Sequence, residues 1–474
     1  MIFTSYTYVA FLLAAFILHW MVPDQFRKWL LIVLSYVFYC SWKWQYGFLL
    51  LAVSLVTFAF GSVLAKRNGS GKLLALAITF ELLPLIFFKY TGFLLSNAVW
   101  LANLVPIDWH PPLPNILLPL GISFFTFQGV AYLVDIATGE KPFDRLSDFL
   151  LFKAFWPQLI AGPIIRHGEI RDQITAVRRL DYPAVADGLR RILRGFFKKA
   201  VLADTIGPIV EAVFLPGARP SAIDSGIGLV GFGLQIYFDF SAYSDIAIGT
   251  ARLFGFTFPE NFNLPYTARS PQEFWNRWHM TLSHWIRDYV FTPLNFSARR
   301  NPHLAYLWLV AAMAICGLWH GAQWTFVVWG VWHGILLVLG QTWLKPVFAA
   351  GTGKGHPVMG RVTAMITFAL VTLAWAFFRS QTVGQAWDII SSITKFRGGL
   401  RPAVLRENAI LVMVAILGGL VCFHGLAKLE DRIARWSARH GLTARVLAAG
   451  YYTALMLAII IFDKEARAFV YFQF

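Results

Sequence analysis

Apolar stretches long enough to cross a membrane recur from one end of the chain to the other. A transmembrane helix needs roughly 20 apolar residues, and backbone in lipid must satisfy its own hydrogen bonds, so each stretch is predicted to be helical. We therefore predict an all-α, polytopic membrane protein with about eleven transmembrane helices. The stretches lie near Tyr6–Val22, Trp29–Trp42, Tyr46–Ala65, Leu73–Leu94, Leu117–Ala137, Ile227–Phe238, His303–Trp319, Trp324–Leu344, Ala364–Phe378, Ala409–Leu426 and Val446–Phe462.

The composition agrees with a chain that faces lipid. Of the 474 residues, 57% are hydrophobic and 14% are charged, whereas a soluble domain carries roughly 25% charged residues. Cys40, Cys316 and Cys422 stand alone in apolar stretches, so neither a metal site nor a disulfide framework is expected. No internal repeat of the kind found in secondary transporters is evident in the sequence.

The charged residues lie in the loops between the apolar stretches. The net charge of +16 would suggest nucleic-acid binding in a soluble protein, but membrane proteins retain Lys and Arg in their cytoplasmic loops. The segment Arg166–Lys199 holds nine basic residues against four acids and is predicted to be cytoplasmic, with the N-terminus outside. We expect membrane lipid as a partner and no nucleic acid.

The apolar segment Phe149–Ile165 does not fit a simple span. Lys141 precedes it and Arg166 follows it, so both of its ends are predicted to face the cytoplasm. Pro157 and Pro163 interrupt any helix within it. A re-entrant segment that lines a protein-walled cavity is favoured, because irregular backbone at membrane depth is tolerated only there. The alternative is a kinked span.

One ionisable side chain, His320, stands in an almost uncharged region, within the sequence GLWHG at 317–321. His333 follows in a second Trp-His-Gly sequence. Ionisable residues in transmembrane segments are costly and indicate a functional site; the alternative is a structural histidine bonded to a neighbouring carbonyl. Gly317 and Gly321 would let another backbone or a ligand approach closely. His320 is therefore our first catalytic candidate.

The segment Glu273–Thr292 has the periodicity of an amphipathic helix. One face carries Trp275, Trp278, Leu282, Trp285, Ile286 and Tyr289. On a helical wheel of about 100° per residue, His279 lies at the edge of this face and His284 lies opposite it, so His279 is the second catalytic candidate. The alternative is an interfacial helix anchored by its aromatic residues, which is compatible with a functional His279.

Asp239, Asp245 and Glu81 are acidic residues that lie in or beside apolar stretches. For Asp239 and Asp245 we favour a structural role, in which they pair with arginines of the basic segment or cap a helix, over a catalytic one. Glu81 has Lys89 as a candidate ion-pair partner.

These residues suit acyl transfer to a hydroxyl group. A neutral imidazole takes the proton of the hydroxyl while its oxygen attacks a thioester carbonyl. No Gly-x-Ser-x-Gly, P-loop or His-Glu-x-x-His motif indicates a different reaction, but the residues alone do not select this one. Basic side chains near a cytoplasmic opening would hold the phosphates of a CoA-like donor.

Six motifs taken together resemble the membrane-bound O-acyltransferase (MBOAT) family. They are LPLGISFFTFQGVAYLVD at 118–135, FWPQLIAGPIIRH at 155–167, YFDFSAYSDIAIG at 237–249, FWNRWHMTLSHWIRDYVFTPL at 274–294, GLWHGAQWTFVVWGVWHG at 317–334 and the C-terminal YFQF. They are spread over most of the chain, and their combination is highly specific. The resemblance implies one MBOAT domain over 1–474, with N-terminal helices (1–115), a catalytic core (116–345) and C-terminal helices (346–474).

The resemblance also assigns roles to residues. It implies that His320 is the family's essential histidine within the membrane and that His279 is the second polar position upstream of it. It implies no bound cofactor, acetyl-CoA from the cytosol as the acyl donor, and a channel for donor or substrate. We expect this channel to include Trp319, Asp239, Asp245, Arg277, Gln158 and Arg166.

The amino-acid sequences of the motifs favour the branch of the family that O-acetylates exopolysaccharides such as alginate. In that branch the acyl group crosses the bacterial inner membrane to a separate periplasmic acetyltransferase of the SGNH type. That enzyme works with the polysaccharide synthesis and export complex. The alternatives are D-alanyl transfer in teichoic-acid modification and a non-enzymatic transporter of polysaccharide or small molecules.

Overall fold

The structure is a computed structural model of the chain. It describes residues 3–67, 69–105, 109, 111–112, 114, 116–296, 301–352, 357–399, 401–405, 432–433, 436, 442–462 and 469. The predicted span Ala409–Leu426 and the C-terminal YFQF motif lie outside these residues.

All regular secondary structure in the described part of the chain is helical, as predicted. The helices are α1 (Tyr6–Met21), α2 (Asp24–Cys40), α3 (Gln45–Lys66), α4 (Gly71–Leu85), α5 (Thr91–Ala102), α6 (Ile122–Ala137), α7 (Leu146–Ala154), α8 (Trp156–Leu159), α9 (His167–Thr175), α10 (Tyr182–Phe197), α11 (Asp204–Phe214), α12 (Ala222–Leu253), α13 (Pro271–Trp275), α14 (Met280–Ile286), α15 (Thr292–Phe296), α16 (Pro302–His320), α17 (Trp324–Gln341), α18 (Lys345–Thr352), α19 (Pro357–Arg379), α20 (Val383–Thr394) and α21 (Leu442–Phe462). Wider π-helical turns at Ile86–Tyr90, Lys198–Ala203 and Arg287–Phe291 join consecutive helices, and Pro265–Thr267 forms a 3-10 turn.

Among the described residues, six helices are long and apolar enough to cross a membrane. They are Gln45–Lys66, Gly71–Ala102, His303–His320, Trp324–Gln341, Pro357–Arg379 and Arg445–Phe462. Two shorter apolar helices, α1 and α6, coincide with other predicted spans. The helices support a multi-pass membrane protein, and the number of about eleven spans stays a prediction.

Contacts between residues divide the chain into two compact units. The first comprises Met1–Arg191 and Ile246–Thr367, and the second comprises Ile192–Asp245 and Phe368–Gln473. Within the second unit, the carboxylate of Asp224 accepts hydrogen bonds from the backbone N–H groups of Ala403, Val404 and Leu405 at 2.8 to 3.2 Å. The start of α12 is thereby tied to the loop 403–405.

In the first unit, a buried ion pair joins three helices. Nζ of Lys153 in α7 lies 2.6 Å from Oε1 of Glu81 in α4, and at most 2% of either side chain is exposed. The hydroxyl of Thr57 in α3 donates to the other carboxylate oxygen at 2.5 Å. The suggested pairing of Glu81 with Lys89 is therefore wrong. Lys153 lies far away in sequence, but the packing of α7 against α3 brings it to the carboxylate.

The segment Phe149–Ile165 folds back on itself. It contains the end of α7 and the short α8, and residues 151–165 are all buried. The ring of His167 hydrogen-bonds through Nε2 to the carbonyl of Lys141 at 2.8 Å, so residues that flank the segment on its two sides lie close together. Gly121, at φ 72°, stands where a Cβ would collide with the carbonyl of Leu159. The re-entrant course of this segment stays a prediction.

Candidate active site

The predicted helix Glu273–Thr292 is broken at His279. Helix α13 ends at Trp275, α14 begins at Met280, and His279 adopts a left-handed conformation with φ 41° and ψ 54°. Our prediction of one continuous amphipathic helix is therefore wrong. A non-glycine residue in this conformation is strained by about 1–3 kcal/mol and persists only where the surrounding structure holds it. His279 is fully buried and His284 is exposed, which agrees with our choice between them.

Asn261 supplies the contacts that hold the break. Its carbonyl accepts from the N–H of Met280 at 2.9 Å, and its Oδ1 accepts from the N–H and the hydroxyl of Thr281 at 3.3 and 3.0 Å. The Thr281 hydroxyl in turn accepts from the N–H of Ile164 at 3.0 Å, which brings the segment Phe149–Ile165 into the same network. These bonds satisfy backbone groups that the broken helix leaves without partners.

The same amide fixes the tautomer of His279. Nδ1 of the ring lies 3.0 Å from Oδ1 of Asn261. The N–H of Thr281 can only donate, so the amide atom that faces it must be the oxygen, and Nδ1 of His279 must carry the proton. Burial lowers the pKa of His279 to about 3. The ring is therefore neutral near pH 7, with its lone pair on Nε2.

His320 is the last residue of α16, at the turn into α17, and only 7% of it is exposed. The two helices meet backbone to backbone, since a Cβ at Gly317 would collide with the carbonyl of Phe326. A Cβ at Gly321 would collide with the ring of the same residue. The prediction that these glycines permit a close approach is confirmed, and the approaching group is protein.

The structure brings His279 and His320 together. Their ring centroids are 6.5 Å apart, with an angle of 62° between the planes. Two rings at this separation are close enough to contact one bound acceptor group. Trp319 packs beside both rings, at 6.1 and 4.9 Å, and Trp329 lies between His320 and His333 at 5.1 and 4.8 Å. All five side chains are buried, so the site excludes water and strengthens polar interactions within it.

Of the residues predicted to line a channel in the first unit, Trp319 lies beside the histidines and three others lie elsewhere. Arg166 pairs with Asp288 at 2.6 Å. Arg277 pairs with Glu273 at 2.7 Å and lines a polar cavity of about 570 Å³. Gln158 is buried and donates to the backbone carbonyl of Phe152 at 2.6 Å. A channel role for these residues stays a prediction.

Asp239 and Asp245 belong to the second unit and form ion pairs there. Nζ of Lys199 lies 2.8 Å from Asp239, and Nζ of Lys198 lies 2.6 Å from Asp245. All four side chains are buried. Ion pairs with the basic segment are what we expected for a structural role of the two carboxylates. The partners are lysines of that segment and not the arginines that we expected. A channel role for the two carboxylates likewise stays a prediction.

Sequence reasoning missed Asn261. It lies in an irregular stretch with no hydrophobic periodicity, and nothing in the sequence separates it from Asn263, which is exposed. Its contact with His279 spans 18 residues of sequence and exists only because the loop folds back on the helix break.

The part of the chain that contains these residues matches a known protein family. Residues 144–387, which include His279, His320 and Asn261, match the membrane-bound O-acyltransferase (MBOAT) family. The chain belongs to this family. As an MBOAT with several membrane-spanning helices, it is a multi-pass membrane O-acyltransferase. This activity sets aside a non-enzymatic transporter.

Relatives of this MBOAT carry related names. A probable alginate O-acetylase of Pseudomonas aeruginosa, AlgI, is 35% identical over 446 residues, which cover 91% of this chain and 83% of that protein. A peptidoglycan O-acetyltransferase of Helicobacter pylori is 34% identical and covers 79% of this chain and 75% of its own length. A teichoic acid D-alanyltransferase of Streptococcus thermophilus is 33% identical over 49% of this chain and 59% of its own.

Proposed function

We propose that this MBOAT takes an acetyl group from cytosolic acetyl-CoA and passes it across the bacterial inner membrane for O-acetylation of an exopolysaccharide such as alginate. A separate periplasmic acetyltransferase of the SGNH type makes the final transfer, together with the polysaccharide synthesis and export complex. The similarity to the probable alginate O-acetylase over 91% of the chain supports this proposal. Acetyl-CoA is a substrate here, and no bound cofactor is invoked.

One observation carries the proposal, namely two buried imidazole rings whose centroids lie 6.5 Å apart. In our proposal, His320 takes the proton of the hydroxyl group that first receives the acetyl group, before the periplasmic enzyme makes the final transfer. We call the molecule that carries this hydroxyl the acceptor. His279 orients the acceptor by accepting, through the lone pair on its Nε2, a hydrogen bond from a second O–H or N–H group of that molecule, because Asn261 keeps the proton on Nδ1. General acid–base catalysis of this kind contributes about 10²- to 10⁴-fold in rate.

The transfer conserves atoms and charge. The acceptor oxygen attacks the thioester carbonyl, a C–O bond forms and the C–S bond breaks. The hydroxyl proton passes to His320 and then to the departing thiolate, so CoA leaves as a thiol and the imidazole returns to its neutral form. Arg166 and Arg277 are candidates for contacts with the phosphates of the donor.

Transfer of label from radioactive acetyl-CoA tests this proposal. Inverted membrane vesicles prepared with the native gene cluster would present the cytosolic face to the label. We expect His320→Ala and His279→Ala to lower incorporation into the polymer by about 100-fold or more. His19→Ala is the matched control, because His19 is another buried histidine of the first unit, 1% exposed, that packs against Trp20 and Phe254. Unchanged incorporation in His320→Ala at equal protein level would refute the proposal.

The names of two relatives indicate a different acyl group or a different acceptor. The similarity to a teichoic acid D-alanyltransferase keeps D-alanyl transfer as a second candidate, although it covers only 49% of this chain. Mass analysis of the cell surface from a deletion strain separates the cases. Loss of acetyl esters from the exopolysaccharide supports our proposal. Loss of D-alanyl esters, or of acetyl esters from peptidoglycan, would assign a different product.

A further inference from the structure

Lys89 and Tyr90 both bond to the end of α16, the helix that carries His320. They lie in the π-helical turn Ile86–Tyr90, inside the long apolar helix Gly71–Ala102. A lysine within a membrane-spanning helix is costly and is expected to serve a function. π-helical turns also occur frequently at functional sites.

The contacts account for every carbonyl in the last turn of α16. The amino group of Lys89 donates to the carbonyls of Trp319 and His320, the latter at 3.1 Å. The hydroxyl of Tyr90 donates to the carbonyl of Leu318 at 3.0 Å. The carbonyl of Gly317 accepts from the N–H of Gly321 at 3.4 Å.

The last four carbonyls of a helix have no partner within the helix, and in a membrane each unsatisfied group costs several kcal/mol. The carbonyl end of a helix also carries partial negative charge, which favours a cation such as Lys89. Lys89 further donates to the hydroxyl of Ser123 in α6 at 3.3 Å, so the cap is anchored to a third helix. The turn that carries His320 is therefore held by two side chains of the helix Gly71–Ala102, one of which is itself bonded to α6.

We propose that Lys89 and Tyr90 are positioning residues that hold His320 in its reactive place. The inference rests on the proposed role of His320 and assigns no chemical step to Lys89. One of the capped carbonyls belongs to His320 itself, so loss of the cap displaces the Cα that carries the imidazole. A misplacement of about 1 Å at a reacting group costs on the order of 100-fold in rate.

Kinetics of acetyl transfer in proteoliposomes that contain the chain and its native partners test the inference. We expect Lys89→Met to lower kcat by about 100-fold, with the KM for acetyl-CoA within about twofold of wild type, because a positioning role assigns Lys89 no contact with the donor. Lys89→Arg keeps a cationic donor and should recover at least about a tenth of the wild-type kcat.

Tyr90→Phe removes one hydrogen bond and keeps the ring, so it remains informative if Lys89→Met does not accumulate. We expect it to lower kcat by about threefold to tenfold, in line with one bond of about 1 kcal/mol. Tyr46→Phe is the matched control, since its hydroxyl donates to the carbonyl of Leu117 at 2.5 Å, away from α16. It should keep at least about half of the wild-type kcat.

The inference is overturned if Lys89→Met and Tyr90→Phe keep wild-type kcat while His320→Ala is inactive. It is also overturned if Lys89→Arg is as inactive as Lys89→Met, or if Tyr46→Phe loses as much kcat as Tyr90→Phe. Activity in His320→Ala would instead refute the proposed function. The two failures are therefore distinguishable.

Discussion

Asn261 accepts a hydrogen bond from Nδ1 of His279 at 3.0 Å and so determines which ring nitrogen keeps the lone pair. The same residue also accepts from the backbone on the far side of the helix break, at Met280 and Thr281. One buried amide therefore sets the tautomer of the histidine and stabilises the strained backbone that presents it.

Loss of this amide should impair turnover more than binding. We expect Asn261→Ala to lower kcat for acetyl transfer by about 10- to 100-fold, because the ring of His279 loses its fixed tautomer and its support. Asn263→Ala, an exposed asparagine in the same loop, is the control and should keep wild-type kinetics. Equal kinetics of the two variants would show that Asn261 does not position the site.

An aspartate at position 261 should introduce a pH dependence. In the wild type, burial lowers the pKa of His279 to about 3, so this ring stays neutral between about pH 5 and 8. In Asn261→Asp, a carboxylate beside Nδ1 would favour the imidazolium form and raise this pKa. The lone pair on Nε2 of His279 that orients the acceptor is then lost as the pH falls through the raised pKa, so the rate of the variant relative to wild type should decline towards pH 5. Parallel pH–rate profiles would contradict this expectation.

Removal of one partner of the Lys153–Glu81 ion pair should lower the free energy of unfolding much more than replacement of both partners by apolar residues. Removal of one partner leaves a buried charge, so Glu81→Gln or Lys153→Met should destabilise the detergent-solubilised protein by about 3–5 kcal/mol. The double variant Glu81→Leu/Lys153→Met should recover most of this loss. Glu260→Gln, at a half-exposed carboxylate that pairs with Arg191, should cost no more than about 1 kcal/mol. Additive single effects would argue against a coupled pair.

The close contact of α16 with α17 depends on the absence of a Cβ atom at Gly317. We expect Gly317→Ala to lower both thermal stability and acetyl transfer, because its Cβ would collide with the carbonyl of Phe326. The control is Gly92→Ala in α5, where a Cβ meets open space and helix propensity should add up to about 1 kcal/mol of stability. A fully active, stable Gly317→Ala variant would mean that the helices need not approach so closely.

The sequence predicts the helical stretches, a close approach at Gly317 and Gly321 and the two histidines, because these follow from hydrophobic periodicity, from the small size of glycine and from a costly ionisable residue. It does not predict the break at His279, because the apolar pattern continues through it and the compensating bonds come from Asn261. For Glu81, it suggests the nearby Lys89 instead of Lys153, which is 72 residues away and is brought close only by helix packing.

The central claim is that His279 and His320 act on one acceptor as a unit. A double-mutant cycle on kcat for acetyl transfer, with His279→Ala, His320→Ala and the combined variant, tests it most directly. We predict that each single change costs about 100-fold or more and that the double variant is little worse than the worse single one, because groups that act together are strongly non-additive. Fully additive losses, or a single variant that keeps wild-type kcat, would contradict the claim.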